Sequence, residues 1–203
     1  MRQYIAINEG FRKTTGDIMA WLNSDDRYHS DAFLKVATAF RKQEGVEWLT
    51  GRATKWDAQG QVFHVDSDLP GWSREMLLSR GQTEFIQQES TFWKRSLWNK
   101  SGGFLRPDVS LAGDFELWVR FSRYASLYVV DAKLGGFRYH GNQRSVLQLD
   151  QYLQEVESLV EEELLLTQKG KYLSKPSIPL SIQISDEELS QTKKFLKHER
   201  KYK

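Results

Sequence analysis

The stretch that decides the fold is DIMAWLNSDD, residues 17–26, in which a compact apolar run leads directly into a polar, acidic loop. A run this short favours a buried strand over residues 17–22 rather than a helix. The Asn-Ser-Asp-Asp sequence at 23–26 is a typical loop signal. Ligands of α/β sheets bind outside the carboxyl ends of the strands, so a site is expected at this loop first.

The composition is that of one globular domain. The chain has 203 residues, of which 39% are hydrophobic, 28% charged and 13% aromatic, which is enough for a core and short for two domains. This content excludes a disordered chain, and no apolar run approaches the ~20 residues that span a bilayer. The absence of cysteine excludes disulfides, thiolate catalysis and Cys-ligated zinc. With no signal-peptide pattern at residues 1–13, we expect a cytoplasmic protein.

Positive charge is concentrated near the carboxyl end. Residues 193–203 hold six Lys or Arg and one Glu, a balance of +5, whereas the remaining chain has 23 basic and 26 acidic groups, a balance of −3. A basic tail on a slightly acidic body is not a basic binding face, so we expect no nucleic-acid partner. The tail is interpreted as a solvated segment, with weak contact to anionic lipid headgroups as the alternative.

Periodicity and turn residues predict alternating helices and strands, and therefore the α/β class with a sheet flanked by helices. Gly16 is interpreted as the left-handed cap of the first helix, and Gly102-Gly103 as the end of a helix that Ser90 or Thr91 caps. Phe33 is placed on the apolar face of the second helix. Helices are expected over 3–15, 30–41, 73–79, 91–100, 114–124 and 146–169, and strands over 17–22, 46–51, 53–56, 61–65, 126–131 and 134–140.

Asp25 and Asp26 are candidate ligands of a hard cation. Carboxylates that a strand places in a loop can hold Mg²⁺ or Mn²⁺, which also take phosphate oxygens as ligands. A turn or capping role is the alternative for two adjacent aspartates. His140, at the end of a predicted strand, can complete a metal shell or face a phosphate, and Arg144 can contact phosphate oxygens.

Asp114 is a candidate general base, because it lies at the predicted start of an aromatic-rich helix and after a glycine-containing loop. A carboxylate there can take a proton from an attacking hydroxyl. The alternative is a first-turn acid that the helix dipole stabilises by about 0.3–1 kcal/mol. Gln88 and Glu89 form a polar cluster in an apolar setting, which either binds a sugar acceptor or caps a helix.

Four ordered motifs resemble the family 2 glycosyltransferases of the GT-A fold. They are AINEGFRKTTGDIMAWLNSDDRYHSDAF, QQESTFWKRSLWNKSGGF, LAGDFELWVRF and GGFRYHGNQRS, and the resemblance covers roughly residues 3–146. It implies a Rossmann-related mixed sheet and inverting transfer of a sugar from a nucleotide diphosphate sugar to an acceptor hydroxyl. It also implies a saccharide or lipid-linked acceptor, in polysaccharide or glycolipid synthesis at the cytoplasmic side of a membrane, with peripheral membrane contact.

The resemblance implies a role for each candidate residue. Asp114 matches the family's catalytic base, and the loop at 23–26 matches its metal-binding motif. The implied ligands of Mg²⁺ or Mn²⁺ are Asp25, Asp26 and His140. The implied contacts of the nucleotide sugar are Asn8, Asn23 and Arg144. The implied contacts of the acceptor are Gln88, Glu89 and Trp118, although Trp118 can also belong to the core.

The sequence departs from the family pattern in three places. Ile5 stands where an Asp is common, and Asn23 stands where many relatives carry Asp, although its amide oxygen can still face a ribose or a metal-bound water. The strand–helix–strand unit that grips the nucleotide in the family is expected to precede Met1. The expected organisation is a partial GT-A domain over 1–146, truncated at its amino end, a helix packed on it over 147–169, and a polar, basic appendage over 170–203.

That organisation leads to two expectations. Without parallel neighbours the strand at 17–22 would expose an apolar edge, which makes self-association into a homo-oligomer plausible. A chain without the nucleotide-binding unit is expected to be inactive alone, or to act as a non-catalytic saccharide- or partner-binding remnant of such an enzyme.

Overall fold

The computed structural model describes residues 3–69, 71–80, 85–141, 143–169 and 180–199, and the elements below lie within these ranges. The helices are α1 (Gln3–Arg12), α2 (Ala32–Lys42), α3 (Arg74–Arg80), α4 (Arg95–Lys100), α5 (Gly113–Ser122), α6 (Arg144–Leu147), α7 (Leu149–Gln168) and α8 (Asp186–Glu199). The strands are β1 (Ile18–Met19), β2 (Arg27–Tyr28), β3 (Trp48–Arg52), β4 (Thr54–Trp56), β5 (Val62–Val65), β6 (Thr91–Lys94), β7 (Leu127–Lys133), β8 (Gly135–Arg138) and β9 (Leu180–Ile182).

The strands form two sheets. The larger has the order β1-β6-β3-β7-β9, in which β6 runs antiparallel to both its neighbours while β7 is parallel to β3 and β9. The smaller has the order β2-β8-β4-β5. The predicted α/β class with a mixed sheet flanked by helices is confirmed, and so is the hairpin expected between the strands at 53–56 and 61–65, since β4 and β5 pair antiparallel.

An aromatic core joins α5 to the larger sheet. The indole of Trp118 stacks at 5.6 Å on Trp48 and at 6.1 Å on Trp21, measured between ring centroids. Two charged residues of α5, Glu116 and Arg120, are also buried: Arg120 pairs with Glu116 at 2.7 Å and donates to the carbonyl of Ser101 at 2.6 Å. The helix is therefore fixed along its length, and its first turn is held at a defined place on the sheet.

Several predicted element bounds are wrong. Residues 91–94 form β6 rather than the start of a helix. Thr91, Phe92 and Trp93 are all buried, so the strand shows no alternation between a buried and an exposed face. α1 ends at Arg12, and Gly16 does not adopt the left-handed conformation, whereas Gly102 and Gly103 do, with φ of 113° and 73°.

The second helix presents a different face from the one predicted. Ala32, Val36 and Ala39 are buried, but Phe33 is 65% exposed and contacts the ring of Tyr28 from the outside. Position i+1 from a buried residue lies about 100° around the helix, so Phe33 cannot share the face of Ala32. In the part of the chain that the structure describes, no helix is long and apolar enough to cross a membrane.

The carboxyl-terminal part contributes to the sheet. The single helix expected over 146–169 is divided at Gln148 into α6 and α7. β9 pairs parallel with β7, and α8 packs on α2, where Lys42 pairs with Glu188 at 2.9 Å. Residues 170–179 and 200–203 lie outside the described residues, and the three-part division of the chain stays a prediction.

Candidate active site

The loop after β1 meets the end of β8, because β2, which follows that loop, pairs antiparallel with β8. This pairing brings Asp25 Oδ2 to 3.1 Å from His140 Nε2 across 115 residues of sequence. Both side chains are partly exposed, 41% for Asp25 and 28% for His140. Two of the three predicted metal ligands thus lie together at the rim of the site.

Asp26 points away from this pair and into the protein. Its Oδ1 accepts the backbone N–H of Arg138 at 3.0 Å, and its Oδ2 accepts the amide of Asn23 at 3.0 Å. It is also hydrogen-bonded to the buried carboxyl of Glu89. Burial raises the pKa of Asp26, and burial together with the Asp26 charge raises the pKa of Glu89 well above its usual value. Glu89 is therefore the member of the pair that keeps a proton.

A polar network links the same loop to the turn before β6. The amide of Gln88 donates to the carbonyl of Trp21 at 2.7 Å and accepts from Asn23 at 3.3 Å. Asn23 in turn accepts from Gln3 of α1 at 2.9 Å. Asn23 and Gln88, which were predicted to bind donor and acceptor respectively, therefore lie in one network beside Asp26.

Asp114 occupies the first turn of α5. Its carboxylate accepts the backbone N–H of Phe115 at 2.9 Å, and burial raises its pKa to about 6. Its charge also adds to the upward shift of the Glu89 pKa, after the larger effects of burial and Asp26. The Asp114 carboxylate therefore lies near enough to Glu89 to affect its pKa, although the two residues belong to separate segments of the chain.

Two predicted site residues make internal contacts in this structure. Trp118 is 1% exposed, so the prediction that it contacts an acceptor is corrected. Its ring lies in the middle of the aromatic core because α5 turns this face to the sheet. Asn8 uses both ends of its amide on the backbone of Leu105, at 2.8 Å each, so its predicted contact with a nucleotide sugar stays a prediction.

The region around Asp114 contains residues that the motifs did not indicate. Burial raises the pKa of the Tyr4 phenol and the Asp114 charge adds to this, while the charge of Arg144 opposes it. Arg144, predicted to contact the nucleotide sugar, is exposed at the start of α6 on this side of the site. The tyrosine was missed because its partners lie more than 100 residues away in sequence. The local signal was Gly113, since a glycine permits a close approach of another group to the backbone.

The candidate metal ligands fit a hard cation in part. Asp25 and His140 offer a carboxylate oxygen and an imidazole nitrogen at the rim, and Mg²⁺ commonly takes one or two carboxylates together with phosphate and water oxygens. Both oxygens of Asp26 are occupied by hydrogen bonds, so Asp26 fits this role less well than Asp25. Among the described residues, no three His, Cys, Asp or Glu side chains are grouped as metal ligands.

A family model described as glycosyl transferase family 2 matches residues 2–106, just over half of the chain. The chain belongs to glycosyltransferase family 2. No curated protein sequence matches this chain. The match covers the loop at 23–26 and the turn at 87–90 but ends before Asp114.

Solved structures resemble the chain in fold. One is the crystal structure of S. aureus TarS 1-349, with a TM-score of 0.55 and 16% identity over 81% of this chain. Another is the crystal structure of S. aureus TarS, with a TM-score of 0.54 and 14% identity over 94% of this chain. The chain spans 45% of the first structure and 30% of the second. The predicted fold class, GT-A-like, is confirmed.

Proposed function

We propose that the chain provides the catalytic part of an inverting glycosyltransferase, which transfers a sugar from a nucleotide diphosphate sugar to an acceptor hydroxyl. The main support is the position of Asp114, a carboxyl in the first turn of a buried helix, whose pKa burial raises to about 6. A general base is most effective when its pKa lies near the working pH, and Asp114 meets this condition better than an ordinary aspartate.

In this mechanism Asp114 takes the proton of the acceptor hydroxyl while the oxygen attacks the anomeric carbon. The bond between that carbon and the diphosphate breaks on the opposite face, its electron pair leaves with the diphosphate, and the configuration inverts. A raised pKa makes the carboxylate a stronger proton acceptor, and at pH 7.5 Asp114 is still mainly ionised.

Asp25 and His140 would hold Mg²⁺ or Mn²⁺ at the rim, with Arg144 exposed nearby for the diphosphate. The cation would offset the negative charge that develops on the leaving diphosphate. Asn23 and Gln88 would lie between donor and acceptor, and Glu89 would keep Asp26 in place. The class of product is proposed from the family alone. It is a polysaccharide or glycolipid, made on a saccharide or lipid-linked acceptor at the cytoplasmic face of a membrane.

The assignment of the base is tested with sugar release to water from UDP-glucose, UDP-N-acetylglucosamine and dTDP-glucose, with Mn²⁺ present. Asp114→Asn should lower release by about 10³-fold or more, since the amide cannot accept the proton. Calorimetry should show nucleotide binding within about threefold of the parent, because binding does not use the base. Asp186→Asn, a first-turn acid of α8 on the protein exterior, is the matched control. Near-normal release by the Asp114 variant would refute the assignment.

A non-catalytic saccharide-binding role is the second candidate, and the internal hydrogen bonds of Asp26 favour it. Because Arg138 and Asn23 occupy both carboxylate oxygens, the loop is stable without a ligand. This role requires saccharide binding that survives both chelation and Asp26→Ala. Calorimetric titration with UDP and dTDP, with and without Mn²⁺, separates the two candidates: metal-dependent nucleotide binding supports the transferase, and its absence from the folded protein supports the second role.

A further inference from the structure

The loop that delivers Asp114 is held by a carboxylate from another helix. The first N–H groups of a helix and of the loop before it have no partner within the helix. Here Glu155 of α7 accepts three of them, from Ser110 at 3.2 Å, Leu111 at 2.8 Å and Ala112 at 3.0 Å. A single side chain thus fixes three consecutive peptide groups that end two residues before Asp114.

A buried phenol makes two further hydrogen bonds to the same loop. The hydroxyl of Tyr4 in α1 donates to the carbonyl of Leu111 at 2.6 Å and accepts the N–H of Gly113 at 2.9 Å. The Tyr4 side chain is buried, with the residue 6% exposed. It bridges two peptide groups, and the second belongs to the residue directly before Asp114.

Gly113 shows how closely the phenol and the loop approach. A Cβ atom on Gly113 would lie 2.5 Å from two carbons of the Tyr4 ring, a distance that real side chains do not allow. The contact leaves no room for the loop to slide over the ring. The close approach allows the N–H of Gly113 to come within hydrogen-bond distance of the Tyr4 hydroxyl.

We propose that Tyr4 and Glu155 are positioning residues for the catalytic base, which hold the loop over 110–113 between α1 and α7 so that the Asp114 carboxylate meets the acceptor hydroxyl. This inference rests on the proposed function of Asp114. It assigns to α1 and α7 a part in the reaction, although neither supplies a group that touches the reacting atoms. A misplacement of about 1 Å at a reacting group costs roughly 10²-fold in rate, so the loop is a sensitive point.

Tyr4→Phe keeps the ring and removes the two hydrogen bonds. For sugar release from UDP-glucose, or another donor of the panel above, kcat should fall about 10- to 100-fold while the KM for the donor stays within about threefold. Glu155→Ala should act in the same way, and Glu155→Gln should recover part of the rate because its amide oxygen still accepts. Thr38→Val is the matched control, since it removes a buried hydroxyl from α2 that bonds only the carbonyl of Leu34 at 2.8 Å.

Amide hydrogen exchange of the full chain tests the geometry independently of turnover. In Tyr4→Phe the N–H of Gly113 should exchange about tenfold faster or more, whereas Thr38→Val should leave it unchanged. Unchanged exchange in Tyr4→Phe overturns the inference, and so does a normal kcat in Tyr4→Phe when Asp114→Asn is inactive. If Asp114→Asn releases sugar at the parent rate, it is the proposed base that fails, because the loop then holds a residue without a role in the reaction.

Discussion

Before Asp114 the backbone is hydrogen-bonded by two side chains, Tyr4 of α1 and Glu155 of α7, whereas at the rim of the site Asp25 and His140 contact each other with both side chains partly exposed to solvent. The first region is enclosed by three helices, and its carboxyl has a raised pKa as a result. In the second region, Asp25 lies on the loop between the two-residue strands β1 and β2, and His140 lies just after β8. This difference fits the proposed function, in which a base must keep one position and the ligands of a cation must adjust to the diphosphate of the donor.

The largest effect is expected where the enclosed region is overfilled. Gly113→Ala forces a methyl group against the ring of Tyr4, and we expect a loss of about 3 kcal/mol in the free energy of unfolding, at the upper end of overpacking costs. Urea denaturation measures this loss. Gly10→Ala is the control, since a Cβ at Gly10 of α1 meets nothing within 4 Å, and it should be neutral or stabilising. A neutral Gly113→Ala would mean that the loop is not fixed as described.

The next effect concerns the stability cost of an ionised Asp114. Its pKa is about 6 in the folded chain against a usual 3.8, so the folded state binds the proton more tightly and stability falls as pH rises between these values. Asp114→Asn should therefore stabilise the fold at pH 8 by roughly 1–3 kcal/mol, with the gain vanishing near pH 4. Asp25→Asn, at the exposed rim, should change stability at pH 8 by less than about 0.5 kcal/mol.

Thermal and urea unfolding of both variants from pH 4 to pH 8 measures this contrast. Equal effects of the two variants across the range would contradict the difference between the enclosed and the exposed region.

The smallest effect is expected at the rim. Asp25→Asn should weaken Mn²⁺-dependent binding of UDP about tenfold, because one of two protein ligands becomes neutral. Asp114→Asn should leave this binding nearly unchanged. Calorimetric titration with UDP, with and without Mn²⁺, provides the measurement, and Asp57→Asn in the β4–β5 turn serves as the control. An equal loss of UDP affinity in Asp25→Asn and Asp57→Asn would show that Asp25 does not hold the cation.

Local signals were sufficient for much of this protein. The apolar run at 17–22 followed by acidic residues indicated the loop of the site, and the start of an aromatic helix indicated Asp114, because strands, turns and helix starts depend on neighbours a few residues away. The turn at 57–60 predicted the β4–β5 hairpin for the same reason. The fold class followed from the order of such signals, and the family followed from the resemblance of the four motifs.

The tertiary structure alone decided how the side chains are used. It placed Asp25 at the rim and turned Asp26 inward to Glu89, two roles that adjacent identical residues cannot reveal in sequence. It also showed that Trp118 lies in the core and that residues 91–94 form a strand. Burial on both faces of that strand removes the periodicity that distinguishes a strand from a helix in sequence. The hold of Tyr4 on the loop before Asp114 spans 107 residues, and hydrogen bonds over such separations exist only once the sheet and helices have packed.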